Sequence, residues 1–376
     1  MTNVLRFPDR TQGFVPRRLT EARTAILMPR EELGRRIDKT GQAIGYYEAG
    51  ERRPDMETLL RLADVLGQPV SFFMRPLSPT IGTAGTRFYR SVGPKSNKLN
   101  LAHDVKVGWL REMVQFLLQH VRLPSVNLPS IEDLPASPDL TLSDIEQVAT
   151  LVRRRWGLGD GPIANMTALL ETNGCIVARL GMDAEGVDAF SCWLEGRPYV
   201  FLGSDKGACC RSRFDAAHEL GHLILHRHIT QEDLQTKRTR DRLEREAHWF
   251  AGAFLLPRST LLTEFYSTRT SHLVGLKRRW RVSMQAIAHR CKEIGAVDEL
   301  QYILFRKQLS AKRWLKAEPL DDELPCEQPG LLPKAWRLLI DRETIQEGGA
   351  AEQIGFSLDG VERICGQFRR AGGEPA

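Results

Sequence analysis

The stretch Phe214-Asp-Ala-Ala-His-Glu-Leu-Gly-His-Leu-Ile-Leu-His226 is a mostly apolar run that carries two histidines four residues apart. On a helix that spacing puts His218 and His222 on one face, so that both imidazoles can reach one metal ion. Glu219 stands beside the first of them, where a carboxylate can accept a proton from water activated by the metal. A five-residue pattern arises by chance, and exposed helices often carry His and Glu. Here Phe214, Ala217, Leu220, Leu223 and Ile224 predict that the helix is largely buried, and buried His and Glu need partners.

A catalytic zinc takes three protein ligands and leaves a position open, whereas a structural zinc takes four. Two sources for the third ligand follow from the sequence. His228 has the right spacing from His218 and His222, but a chain turning back to the metal needs glycine where Leu225 stands. Leu225 is expected to continue the helix and carry His228 away. The second source is the next helix, Leu243-Glu-Arg-Glu-Ala-His-Trp-Phe-Ala-Gly-Ala-Phe-Leu-Leu-Pro257. Its apolar face holds Leu243, Ala247, Phe250, Ala251 and Phe254. Periodicity slightly favours Glu244 over Glu246 at the edge of that face, and Glu246 is expected to face solvent.

Around these helices, residues 140–319 read as a compact mixed α/β domain. Helices are expected over 144–156 and 163–173, and strands over 175–180 and 199–202. The segments Ile145-Glu, Trp156-Gly-Leu-Gly, Gly161-Pro-Ile, Leu170-Glu-Thr-Asn-Gly174, Val187-Asp-Ala-Phe-Ser191, Gly196-Arg-Pro198 and Arg213-Phe-Asp-Ala-Ala-His-Glu accompany them. Together they closely resemble the ImmA/IrrE family of bacterial metallopeptidases, over roughly residues 140–300. The resemblance implies a zincin-like fold and zinc held by His218, His222 and Glu244. It also implies that Glu219 is the catalytic base and that the substrate is a repressor protein, cut in a stress or DNA-damage response. The family's second-helix motif carries Asn where this chain has His248, which leaves open whether His248 joins the metal site.

Upstream, residues 1–76 read as short helices separated by tight turns, either a helix-turn-helix or a plain helical bundle. The run Thr40-Gly-Gln-Ala-Ile-Gly-Tyr-Tyr-Glu-Ala-Gly-Glu-Arg-Arg-Pro54, with Thr58-Leu-Leu-Arg-Leu-Ala-Asp-Val-Leu-Gly67 after it, closely resembles the XRE (Cro/phage-repressor) DNA-binding family over about residues 17–74. That resemblance implies base contacts from Thr40, Gln42, Ala43 and Tyr46, with Gln42 suited to adenine, and phosphate contacts from Arg52 and Arg53. Gly41 and Gly45 in the recognition helix depart from good helix formers, at up to about 1 kcal/mol each.

Residues 77–139 read as a helical connector and linker, with a helix expected over 98–121 and prolines at 124, 129, 135 and 138. Residues 320–376 read as a C-terminal helical segment ending in a Gly/Pro tail. The expected fold class is mainly α, with an N-terminal all-α helix-turn-helix domain and a small α/β zincin-like peptidase domain. Hydrophobic residues are 42% and charged residues 27% of the 376, as in globular proteins, and 53 Lys and Arg against 47 Asp and Glu leave +6. That balance permits nucleic acid as a partner. The opening Met1–Pro8 has no apolar run, and no stretch approaches the roughly 18 apolar residues of a membrane span. Seven cysteines without a Cys-x-x-Cys pair read as reduced thiols of a cytoplasmic protein. The run Lys277-Arg-Arg-Trp-Arg281 reads as a solvated face or, alternatively, a second nucleic-acid contact. His103 and His289 are expected at the surface or core edge.

The reading is therefore a zinc metallopeptidase fused to a DNA-binding domain, with a repressor as substrate, and it allows a homodimer. A DNA-binding regulator whose zinc domain senses without hydrolysis, and a protein-docking module, are the alternatives.

Overall fold

The computed structural model describes residues 13–77, 96–137, 139–180, 189–203, 209–230, 232–346 and 349–369. The opening Met1–Pro8, residues 78–95 and 138 of the connector and linker expected over 77–139, Val187 and Asp188, and the tail after 369 lie outside them. Contacts group the chain into two compact units. Among the described residues, one comprises 13–77, 96–122 and 332–369, and the other those within 123–331.

In the first unit, α1 (Pro16–Ala25), α2 (Arg30–Arg36), α3 (Gly41–Ala49), α4 (Met56–Leu66) and α5 (Val70–Met74) follow one another through short turns. Thr40 caps α3 by accepting from the Ala43 N–H at 3.1 Å, and Asp55 caps α4 by accepting from Thr58 N–H at 2.7 Å. Gly50 ends α3 in the left-handed conformation, φ 76°, which glycine adopts without a Cβ clash. Leu33, Ile37, Ile44, Leu59 and Leu62 are fully buried. The long helix α6 (Ser96–His120) packs on α1. Arg18, itself buried, donates to both carboxylate oxygens of Glu112 at 3.0 and 2.9 Å and to the carbonyl of Pro76 at 3.1 Å.

The second unit opens with α7 (Leu142–Arg155), started by a reciprocal Thr141–Asp144 cap, and α8 (Met166–Thr172). Three strands follow, β1 (Ile176–Leu180), β2 (Ala189–Leu194) and β3 (Arg197–Gly203), in the order β1-β3-β2. β1 runs parallel to β3, with Ile176 opposite Tyr199. β2 runs antiparallel to it, with Ala189 opposite Leu202. Glu195 and Gly196, at φ 50° and 75°, make the two-residue turn between β2 and β3. The buried helix α9 (Cys209–Leu225) packs on β2 and β3, and α10 (Lys237–Leu255) packs on α9 and α7. At Gly221 a Cβ would lie 3.2 Å from Cα and the carbonyl oxygen of Ala247, so the two helices approach closely there. Helices α11 (Arg258–Glu264), α12 (Thr270–Trp280), α13 (Met284–Glu293) and α14 (Glu299–Ala311) complete the unit.

The last helices, α15 (Leu331–Asp341), α16 (Ala350–Ile354) and α17 (Leu358–Cys365), lie almost wholly in the first unit. Phe356 stands 5.5 Å from Phe72 and 5.8 Å from Trp109, ring centre to ring centre. Among the described residues no helix is long and apolar enough to cross a membrane.

Three sequence expectations are corrected. Cys209 and Cys326 form a disulfide, while Cys175, Cys192, Cys210, Cys291 and Cys365 are buried and outside any disulfide. Lys277 is not on a solvated face: it is fully buried, with Nζ 3.0 Å from Glu318 and 2.6 Å from Asp321. His103 is fully buried rather than at an edge.

Candidate metal centre

Helix α9 is buried on nearly every side, so its polar side chains must find partners inside the protein. His218 and His222 do so with each other and with α10: their Nε2 atoms lie 3.1 Å apart. Glu244 places one carboxylate oxygen 3.3 Å from Nε2 of His218 and the other 3.5 Å from Nε2 of His222. Three donors, two imidazole nitrogens and a carboxylate, thus converge from two helices. In a tetrahedral zinc site with bonds of about 2.0–2.1 Å, neighbouring donors stand roughly 3.3 Å apart. The residues present fit such an ion.

Burial, the largest influence, pulls the His222 imidazole down to about 3, which keeps the ring neutral and its lone pair available. Burial alone would raise the Glu244 carboxyl, but hydrogen bonds with His218 and His222 outweigh it and hold the group well below the usual carboxylate range. Glu244 is therefore an anion facing the neutral His222 ring, a charge state that suits a divalent cation.

Behind the donors runs a chain of hydrogen bonds. Nδ1 of His222 lies 2.9 Å from Nδ1 of His226, and Nε2 of His226 lies 3.0 Å from a Glu246 carboxylate oxygen. With the His222 Nε2 lone pair reserved for metal, one proton assignment satisfies the chain. His222 donates from Nδ1 to His226, and His226 donates from Nε2 to Glu246. Glu246 is thus buried and paired, not solvent-facing as expected. The available signal was His226, one helical turn beyond His222 on a helix with no exposed face.

Glu219 is buried, and Oγ of Ser191 on β2 donates to its Oε2 at 2.6 Å. Burial pushes the Glu219 carboxyl up to about 7, against the lowering influence of His218 and of the Ser191 hydroxyl. Sequence reasoning assigned no role to Ser191.

The helix α9 ends at Leu225, earlier than expected. His228 is exposed and stands outside the His218, His222 and Glu244 group. His248 stands outside it too.

In the first unit, Thr40, Gln42, Arg52 and Arg53 are exposed, and Ala43 and Tyr46 half-buried. Gln42 donates an amide N–H to the Tyr46 hydroxyl at 2.8 Å, and the Arg52 guanidinium sits 4.9 Å from the centre of the Tyr46 ring. Gln42 keeps one N–H and its carbonyl oxygen, the pair of groups that adenine presents partners for in the major groove.

Family comparison agrees with both units. A helix-turn-helix model matches residues 19–73, and the IrrE N-terminal-like domain matches residues 170–292. No curated protein matches the chain.

Proposed function

We propose that this chain, an XRE-type helix-turn-helix joined to an ImmA/IrrE-type domain, is a zinc-dependent endopeptidase acting in the cytoplasm on transcription. Its substrate is a repressor protein, cut in a stress or DNA-damage response. The observation that carries this reading is the convergence of His218, His222 and Glu244 beside a buried Glu219 oriented by Ser191. His218, His222 and Glu244 would hold the zinc, which when bound polarises a peptide carbonyl and acidifies water. A cation beside Glu219 favours its carboxylate form. Glu219 then accepts the proton of the attacking water and delivers it to the departing nitrogen, which as an amide anion would be a very poor leaving group. The Ser191 hydroxyl fixes which carboxylate oxygen is free for that transfer. β2, which carries Ser191, is an outer strand of the sheet, so an extended substrate can pair along it. Thr40, Gln42, Ala43 and Tyr46 would read bases, and Arg52 and Arg53 would hold phosphate.

The test incubates zinc-loaded protein with repressors encoded nearby, with and without DNA, beside Glu219→Gln. That variant keeps size and hydrogen bonding but removes the base. Cleavage should fall about 10²–10⁴-fold with zinc content and DNA binding unchanged. If wild type cuts no repressor and Glu219→Gln controls its promoter equally well, the non-hydrolytic sensor is the better account.

A further inference from the structure

His248 lies four residues beyond Glu244 on α10, on the side of the helix that meets α13. Its ring centre is 4.9 Å from that of His289, at a nearly perpendicular angle. His289 and Glu293 are four apart on α13 and therefore share a face. Nδ1 of His289 approaches Oε1 of Glu293 to 3.0 Å. One donor atom from each of His248, His289 and Glu293 lies within 4.8 Å of the other two.

The Glu293 side chain is only 8% exposed. Its Oε1 is buried and, for all its closeness to His289, makes no hydrogen bond of acceptable geometry; nor does Nδ1 of His289. A buried carboxylate oxygen is costly without a partner. A buried carboxylate oxygen and an imidazole nitrogen drawn this close, without a hydrogen bond between them, have the arrangement of ligand atoms around a cation. Arg290 is a competing charge, its Nη1 3.9 Å from the other carboxylate oxygen of Glu293. The Arg290 guanidinium is also engaged by Glu146 and by the Leu256 carbonyl.

We propose that His248, His289 and Glu293 form a second metal site, one helical turn, about 6 Å of rise, along α10 from Glu244. Two imidazoles and one carboxylate select a borderline transition cation such as zinc over magnesium or calcium. The His289 side chain is 39% exposed, whereas His218 and His222 are buried. The second site therefore binds more weakly and exchanges with solvent, and when filled it clamps α10 to α13. It requires neither His218 nor hydrolysis, so it stands or falls apart from the peptidase reading.

The experiment strips the untagged full-length chain with chelator, then measures zinc uptake at equilibrium and the visible absorption of a cobalt titration. Wild type should take up a tight equivalent and a weaker second one. His289→Ala and Glu293→Gln should each weaken the second at least tenfold and leave the tight one. His218→Ala should lose the tight one and keep the weaker. Saturation of wild type at a single equivalent that His218→Ala abolishes overturns the proposal, as does zinc uptake in Glu293→Gln equal to that of wild type. Glu293→Gln is nearly isosteric, so it decides the matter if His289→Ala does not fold.

Discussion

His226 touches neither substrate nor the proposed zinc position, yet it accepts the only proton that frees the His222 Nε2 lone pair. Partners of this kind usually contribute about 10–100-fold to metal affinity. His226→Ala should therefore weaken zinc binding by that order in competition with a chelator, and an unchanged affinity would mean that His222 needs no orientation. Glu246→Gln, whose amide oxygen still accepts from His226, should bind zinc nearly as wild type does. At the other end of the chain, Gln42→Ala should relax preference at one base position by about 1–3 kcal/mol in a binding-site selection. Arg52→Ala should weaken binding to every sequence and flatten its salt dependence. The pairing of His218 with His222 was legible because four-residue spacing is a property of the helix itself. The burial of Glu246 was not, because a helical glutamate faces solvent by default and the histidine that receives it lies 20 residues away in sequence.

Helix α3 carries two glycines with different surroundings. At Gly45 a Cβ would meet only the tip of Arg30, at 3.8 Å. At Gly41 it would lie 3.1 Å from backbone atoms of Glu31 on α2. Alanine at Gly45 should therefore gain most of the helix-propensity difference, about 0.5–1 kcal/mol. Alanine at Gly41 should gain less or lose. Denaturant unfolding of the two variants gives the order, and equal gains would mean that the approach of α2 to α3 is not tight. The caps at Thr40 and Asp55 could be read directly, since each side chain acts within three residues. β2 could not: five of its six residues are buried, so it lacks the alternation that marks a half-exposed strand.

In the first unit, the sequence-distant residues of α6 and α15–α17 close over the helix-turn-helix. Arg18 and Glu112 are both buried and hydrogen-bonded to each other, and such a pair is costly to break from one side. Glu112→Ala should destabilise this unit by about 3–5 kcal/mol, seen as a lower thermal midpoint for the near-ultraviolet signal of Trp109. Replacing Arg18 as well, with methionine and leucine in the two positions, should recover most of the loss. If the single change costs under about 1 kcal/mol, water reaches the pair. This closure was illegible because Phe72 and Phe356 lie far apart in sequence, and no periodicity within either segment names its partner. The elements themselves were visible; which of them share a core was not.

The Cys209–Cys326 bond spans 117 residues that include both proposed metal sites. A chain that clips itself anywhere inside that ring remains one covalent molecule, heavier by a single water. On a gel run without reductant it migrates with uncut protein, and the two pieces part only when a thiol opens the bond. A cut in the proline-bearing stretch before residue 139 releases a fragment at once. Comparing reduced with unreduced lanes therefore locates a self-inflicted cut relative to the ring before any fragment is sequenced.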